Sequence, residues 1–185
     1  HLLELLPEEL TAHLRGLGLP AQEGDARRML AALWEQGTPQ AKRPVRREIQ
    51  EVVLGMDRHR PQVVQRVEDP EDHSVRYLFA AEDGAVFEVV RIPLERPGCF
   101  SLCLSSQIGC AMRCAFCATG KLGLSRNLRP AEILGSFLTV RDEAPGRVTG
   151  AVFMGQGEPF HNYDAVIRSA RLLCHPCGGR ISAEN

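Results

Sequence analysis

Five of the seven cysteines in this 185-residue chain lie in one short stretch, between Cys99 and Cys117. Three of them, Cys110, Cys114 and Cys117, follow the spacing C-x3-C-x2-C, which lets three thiolates converge on one compact metal centre. A 4Fe-4S cluster usually takes a cysteine at each of its four irons. Three protein ligands would therefore leave one iron open to bind and activate a small molecule.

A zinc site is the alternative that the cysteines leave open. A closed structural zinc site needs a fourth ligand, which Cys103 or the pair Cys174 and Cys177 could supply. Spacing of three residues and then two is less usual for zinc than paired C-x2-C knuckles, so the cluster is favoured. The cysteines are too unevenly placed to predict a disulfide scaffold.

Helical spacing of apolar residues dominates residues 1–60. Pro7 suits the start of a helix, and Leu10 and Leu14 follow it at helical spacing. The pattern predicts two further helices, Ala26 to Gln36 and Val45 to Leu54, and a glycine follows each of them. We therefore predict a small helical accessory domain over residues 1–60.

From Pro61 the apolar pattern changes to the alternation that is typical of strands. It predicts strands over Val63 to Val67, Val75 to Ala80 and Ala85 to Ile92. Asp83-Gly84, between the last two, is a signal for a two-residue hairpin turn. We predict a β-hairpin and connector over residues 61–98.

Beyond residue 98, strand and helix patterns alternate, which is the order of a parallel sheet with crossover helices. The order is strand (Phe100 to Leu104), long loop, helix (Pro130 to Val140), strand (Val148 to Met154), helix (Tyr163 to Leu173). Two such units neither close a barrel nor complete an open sheet, and residues 180–185 resemble the lead-in to a third strand. We predict an α/β chain whose residues 99–185 begin a domain, either a barrel or an open sheet, that the chain does not complete.

Charge and hydropathy limit the classes of partner. Lysines and arginines number 22 and aspartates and glutamates 23, so net charge alone does not favour a polyanion. Residues 113–130, however, contain Arg113, Lys121, Arg126 and Arg129 and no acid, which suits phosphate contacts. No apolar run is long enough to span a membrane, and the first residues lack a signal-peptide pattern. We therefore predict a cytoplasmic protein without a membrane partner.

Two segments carry a resemblance to a known family. The first runs from Cys103 through the three clustered cysteines to Leu128, and the second is MGQGEPFHNYD at Met154 to Asp164. Both resemble the radical S-adenosylmethionine RNA adenine methyltransferases of the RlmN and Cfr type, over roughly Tyr77 to Asn185. The resemblance implies that residues 99–185 are the incomplete start of a partial (β/α)6 radical SAM barrel, with its first two β/α units present. The cluster loop would then follow the first barrel strand, at the end where barrel active sites lie.

The resemblance also implies which residues would hold the cofactors. Cys110, Cys114 and Cys117 match the ligands of a 4Fe-4S cluster whose open iron chelates the amino and carboxylate groups of S-adenosylmethionine. Phe116 matches an aromatic residue that packs near the adenine of that cofactor.

A second set of matches lies in the glycine-rich segment. Gly155, Gly157 and Glu158 match a GEP loop in which glycine permits close backbone approach and the carboxylate accepts hydrogen bonds from the bound methionine's ammonium. Gln156 is a mild departure from the family's more usual GMGEP.

Two residues match the family's catalytic positions. Cys103 matches a resolving cysteine that attacks a thioether-linked enzyme–RNA intermediate and releases the product through a transient disulfide. Glu88 matches the acidic residue that accepts a proton at the modified carbon. The family's methyl-carrying cysteine has no match here and is expected beyond Asn185.

The resemblance implies methylation of C2 of an adenine in 23S rRNA, and in some tRNAs, through a methylcysteine intermediate. It further implies an electron donor such as flavodoxin and a monomeric enzyme. The candidate RNA contacts are the helical domain and the basic residues Lys121, Arg126 and Arg129. Three alternatives remain open: a C8-adenine methyltransferase of the same family, a non-catalytic zinc-binding RNA-binding module, and a chain that is inert by itself.

Overall fold

A computed structural model describes residues 1–184, so the end of the predicted region 99–185, Asn185, lies outside the described residues. The chain forms two compact units. One comprises His1–Arg58 with Arg171–Arg180, and the other comprises His59–Ala170 with the residues that follow Arg180. Within the described part of the chain, no helix is both long enough and apolar enough to cross a membrane.

The first unit is helical, as its apolar spacing predicts. A short 3-10 helix (Leu2–Glu4) precedes three α-helices: α1 (Pro7–Gly16), α2 (Glu23–Gln36) and α3 (Arg47–Gly55). Leu10 and Leu14 of α1 and Met29 and Leu33 of α2 are fully buried, and the two helices pack together. Gly37 ends α2 with a positive φ of 73°, a backbone conformation that costs glycine little.

The second unit is built on one five-stranded sheet. In their order across the sheet, its strands are β1 (Gln62–Glu68), β2 (Val75–Ala80), β3 (Val86–Pro93), β4 (Cys99–Leu104) and β7 (Arg147–Val152). The pairing is antiparallel from β1 to β4, and β4 pairs with β7 in parallel. The predicted hairpin strands and the first predicted barrel strand therefore share one sheet.

Two helices belong to the β/α units. Helix α5 (Pro130–Glu143) connects β4 to β7 and packs against β3 and β4, and α6 (Tyr163–Cys174) follows a short 3-10 helix (Pro159–Asn162). Alternate residues of the strands supply one core-facing side of the sheet, because successive side chains point to opposite faces. On β3 and β4 these core residues are Phe87, Val89, Leu102 and Leu104.

The predicted two-residue turn at Asp83-Gly84 is wrong in detail. The Ala81 N–H donates to the Ala85 carbonyl (2.8 Å), so three residues, 82–84, form the turn. Only Gly84 has a positive φ (79°), whereas the two-residue type I′ turn requires it at both positions. The Asp83 carboxylate instead accepts a hydrogen bond from the Ala85 N–H (3.0 Å).

The predicted long loop after β4 is also wrong, because it contains regular structure. It holds β5 (Gln107–Gly109), a short helix α4 (Ala118–Leu122) and β6 (Leu124–Asn127), with β5 and β6 paired antiparallel. A Cβ atom on Gly109 would collide with the Gly123 carbonyl, and both glycines have a φ of 75°. The pairing of these short strands therefore depends on two glycines that meet across the ladder.

Ion pairs connect β6 to the turn between β2 and β3 and to the start of α5. The Arg126 guanidinium binds both oxygens of the buried Glu132 carboxylate (2.8 and 2.9 Å) and also the Asp83 carboxylate (2.6 Å). Arg129 extends the network to Glu82 (3.2 Å). Since Glu132 is 3% exposed, this paired arrangement satisfies a carboxylate that would be costly to bury alone.

Stability should depend on pH through Asp83. Hydrogen bonds that the Arg126 guanidinium and the Ala85 N–H donate to the Asp83 carboxylate lower the pKa of this carboxyl to about 2. A carboxyl with a lowered pKa stabilises the fold fully above its unfolded pKa of about 4, and this contribution is lost as pH falls toward 2. We expect Asp83→Asn, which keeps the turn's acceptor, to unfold at a lower temperature than the parent protein at pH 7. Thermal unfolding between pH 3 and 7 should show this difference shrink at the acid end, and a difference independent of pH would contradict the role of the charge.

Candidate metal and cofactor site

The three clustered cysteines lie on one excursion, which we call the cysteine loop (residues 110–123). Its two ends are held together by β5 and β6, which form its stem, and by a hydrogen bond from the Cys110 N–H to the Gly123 carbonyl (2.9 Å). Within the loop, the Cys117 N–H donates to the Cys114 carbonyl (3.0 Å). The stem thus delivers all three predicted cluster ligands on a single closed segment.

The donor set suits a thiophilic metal, although the thiols do not converge. Among residues 1–184, no three histidine, cysteine, aspartate or glutamate side chains are arranged to hold a metal ion. Cys110 is buried, and Cys114 and Cys117 are half-buried. Backbone N–H groups of Gly120 and Thr119 lower the pKa of the Cys117 thiol, which favours the thiolate that binds metals. The residue types and their shared loop fit an iron-sulfur cluster, and its binding requires the sulfurs to draw together.

A cavity of about 480 Å³ opens beside these cysteines. Its lining includes Arg113, Cys114 and Lys121. Phe116, the predicted adenine neighbour, is 93% exposed, so it does not belong to the local core. An exposed phenyl ring beside the predicted cysteine ligands is available to contact a bound cofactor.

The glycine-rich loop (residues 155–159) follows β7 and packs against the chain that leaves β4. A Cβ on Gly155 would lie 2.8 Å from Ser105 Oγ, and one on Gly157 would lie 2.6 Å from both Ser106 Oγ and the Gln107 Cβ. Gly157 also has a φ of 103°. These glycines are therefore required by close approach to residues 105–107, whereas the sequence pattern suggested close approach to a ligand.

Glu158 has local hydrogen bonds in addition to its predicted role. Its backbone N–H donates to Gln107 Oε1 (2.9 Å), and its side-chain Oε1 accepts the Phe160 N–H (3.1 Å) at the start of the 3-10 helix. The carboxylate thus caps that helix. Its predicted contact with a bound ammonium stays a prediction.

Glu88 and Cys103 share the sheet face opposite the core. Cys103 pairs with Val90 across the β3–β4 ladder, and Glu88, two residues earlier, points to the same side. Burial and the negative charge of Glu88 raise the pKa of the Cys103 thiol, and a hydrogen bond from the Met154 N–H partly offsets this. Arg76 lies 3.8 Å from the Glu88 carboxylate. The two predicted catalytic residues are therefore brought together beside the end of β7.

The predicted basic contacts divide into two groups. Arg126 and Arg129 are held in the ion pairs with Asp83, Glu82 and Glu132, which reduces their suitability as phosphate ligands. Lys121 is exposed and lines the cavity beside the cysteines. Of the three, Lys121 is the cation best placed to meet an anionic ligand.

The segment between β4 and the cysteine loop contains polar residues that sequence reasoning missed. Ser105, Ser106 and Gln107 are at most 2% exposed. Ser105 Oγ donates to the Glu88 carbonyl (2.6 Å) and accepts the Gln156 N–H (3.0 Å). The signal was present in the sequence: three consecutive polar residues lie between an apolar strand and a cysteine, where a buried segment must satisfy each of them.

Asn162 makes a related link from the 3-10 helix. It is buried, and its side-chain amide donates to the carbonyls of Ser106 (2.7 Å) and Leu128 (2.8 Å). The Leu128 N–H in turn donates to the Ser106 carbonyl (3.1 Å). The residues after β4, β6 and β7 are thereby joined in one polar network.

Comparison with known proteins supports the resemblance predicted from the motifs. The chain is 46% identical over 183 residues to a probable RNA methyltransferase of Anaeromyxobacter sp. strain Fw109-5 and 35% identical over 189 residues to the dual-specificity RNA methyltransferase RlmN of Solidesulfovibrio magneticus. These alignments cover 97% and 96% of this chain. No protein-family model matches this chain.

A solved structure gives the same result for the fold. A radical SAM methyltransferase from Sphaerobacter thermophilus superposes with a TM-score of 0.82 and 29% identity over 98% of this chain. The predicted fold class, the start of a radical SAM barrel with a helical unit before it, is confirmed. The chain spans about half the length of its relatives: 53% and 52% of the two sequences and 54% of the solved chain.

Proposed function

We propose that this chain is part of a radical S-adenosylmethionine RNA methyltransferase of the RlmN and Cfr type, and that the whole protein methylates C2 of an adenine in 23S rRNA and in some tRNAs. The observation that supports this most is the closed cysteine loop, whose stem is hydrogen-bonded to the glycine-rich loop after β7. Both predicted halves of a cofactor site thus lie on one network of the chain.

In this proposal, Cys110, Cys114 and Cys117 hold a 4Fe-4S cluster, and Phe116, Gly155, Gly157 and Glu158 bind S-adenosylmethionine. When bound, these cofactors supply the radical chemistry that an unactivated aromatic carbon needs. The chain's own contribution is to bring the thiolates together and to keep the glycine-rich loop close beside them. The exposed Phe116 would exclude water from one side of the bound cofactor.

Glu88 and Cys103 would act on the RNA side of the site. Glu88 would accept the proton from the modified carbon, and Cys103 would release the product by forming a disulfide with a methyl-carrying cysteine. The proposal includes that methylcysteine, although no cysteine of this chain matches it. The position of Glu88 and Cys103 on one face of the sheet supports these roles, because proton removal and product release take place on the same nucleotide.

The proposed partners follow from the same chemistry. The substrate adenine would be unstacked from an RNA loop, and a flavodoxin-like protein would supply electrons to a monomeric enzyme in the cytoplasm. Lys121 is our candidate for an RNA phosphate contact, since Arg126 and Arg129 are engaged in ion pairs.

An isotope experiment tests the proposed function. A form of the protein extended to the full length of its relatives would be reconstituted anaerobically and given RNA with deuterium at C2 of adenine. We expect methylated adenine that has lost this deuterium, as measured by mass spectrometry. Methylation with full retention of the deuterium would overturn the C2 assignment in favour of C8, and absence of methylation would overturn the function.

A further inference from the structure

The side chain of Gln107 joins the stem of the cysteine loop to the glycine-rich loop. Gln107 lies on β5, is fully buried, and accepts the Glu158 N–H at Oε1 (2.9 Å). Because that backbone group can only donate, the orientation of the amide is determined, and Nε2 must find an acceptor. It donates to Asn127 Oδ1 (2.7 Å), directly across the β5–β6 ladder.

The connection continues through Asn127 to the far side of the glycine-rich loop. Asn127 Nδ2 donates to the His161 carbonyl (3.2 Å), three residues after Glu158. The Gly157 backbone also lies against Gln107, close enough that a Cβ on that glycine would be 2.6 Å from the Gln107 Cβ. Two amide side chains thus attach residues 157–161 to the base of the cysteine loop by hydrogen bonds and by contact.

We propose that Gln107 is a positioning residue that locks the glycine-rich loop onto the stem of the cysteine loop, and that S-adenosylmethionine affinity depends on this lock while cluster assembly does not. The inference rests on the proposed function, in which the cluster and Glu158 hold two parts of one cofactor. A ligand held from both loops binds tightly only if their spacing is set in advance. The cysteines need no such lock to bind iron, because the stem ladder and the Cys110–Gly123 hydrogen bond already close their loop.

Hydrogen exchange of the metal-free protein tests the lock directly. In Gln107→Leu, the Glu158 amide loses its buried acceptor and should exchange at least about tenfold faster. The Gly155 amide donates to the Leu104 carbonyl (3.1 Å), so it should keep its protection and serve as an internal control. Ser106→Ala is the matched variant, because it removes a neighbouring hydroxyl whose only hydrogen bond within residues 1–184, to the Gln156 carbonyl, is 3.4 Å long.

Calorimetry on the anaerobically reconstituted protein, both as this chain and extended to the relatives' length, tests the consequence. Gln107→Leu should weaken S-adenosylmethionine binding about tenfold or more with unchanged iron and sulfide content, whereas Ser106→Ala should stay within about twofold. Asn127→Ala, at an exposed position, should weaken S-adenosylmethionine binding in the same direction but by less. If Gln107→Leu does not fold, the affinity of Asn127→Ala tests the positioning role instead.

Unchanged exchange at Glu158, or faster exchange with unchanged cofactor affinity, would overturn the positioning role. Loss of the cluster itself in Asn127→Ala would also overturn it, because the stem would then be the part affected. If the parent protein binds no S-adenosylmethionine in either form, the proposed function fails, and the exchange result alone decides whether Gln107 locks the loop.

Discussion

Protein carrying Cys114→Ala should lose essentially all of its cluster after anaerobic reconstitution, falling from about four iron atoms per chain toward none. The reason is that the cysteine loop supplies only three thiols, so removing one leaves two irons without a protein ligand. Iron and acid-labile sulfide assays, together with the visible absorbance of the cluster, measure the loss.

Cys174→Ala is the matched control for this loss. Cys174 is exposed at the end of α6, outside the cysteine loop, and its removal should leave the iron content unchanged. One zinc per chain without sulfide in the parent protein would contradict the cluster and favour the zinc-binding module. Equal loss of metal in Cys103→Ala would contradict the three-ligand site, because it would make Cys103 a fourth ligand.

The β/α order was predictable from sequence because its signals are local. Alternating apolar residues specify β4, and helical spacing specifies α5, so each element carries its own pattern. The spacing of the three cysteines is equally visible, and their shared metal centre stays a prediction. The shape of the cysteine loop was not predictable, because β5 and β6 are too short to carry a pattern of their own. Their pairing depends on close contact between Gly109 and Gly123, which lie at opposite ends of the loop.

Sequence motifs predict which residue types form the candidate site, but they do not predict the residues that hold those side chains in place. Gly155 and Gly157 were singled out as cofactor-binding residues, yet their close neighbours in the structure are the Leu104 backbone and side chains of residues 105–107. Gln107 has no distinguishing pattern in the sequence, because its importance comes from two partners 20 and 51 residues away. Such long-range hydrogen bonds leave only one sequence trace, a polar residue where the flanking pattern predicts burial.

The charges of the basic segment, residues 113–130, likewise depend on partners outside that segment. Four cations without an acid between residues 113 and 130 indicated phosphate binding, but the acids that neutralise Arg126 lie outside that window. Asp83 is 43 residues away along the chain, and Glu132 lies on the first turn of α5. A local count of charge therefore predicts a free surface only when the fold brings no carboxylate to it.

Cys103→Ala, in the form extended to the relatives' length, should abolish release of methylated RNA and accumulate a covalent protein–RNA adduct. In the proposed step, the Cys103 thiolate attacks the thioether sulfur, an S–S bond forms as the C–S bond breaks, and the electron pair passes to the carbon, which is then protonated. Without the Cys103 sulfur, no group is available to break the C–S bond of the adduct, so product is not released. A denaturing gel with labelled RNA measures the adduct, and mass spectrometry measures the product.

Cys99→Ala is the control for this variant, because Cys99 lies on the same strand, β4, and is also a free cysteine. It should release product at the parent rate. Burial and the charge of Glu88 raise the pKa of the Cys103 thiol, so it is mostly protonated at neutral pH. Since only the thiolate attacks, adduct resolution in the parent protein should accelerate as pH rises from about 7 to 9, by up to about tenfold per unit. Product release by Cys103→Ala at the parent rate, or resolution that slows as pH rises, would show that another group breaks the adduct.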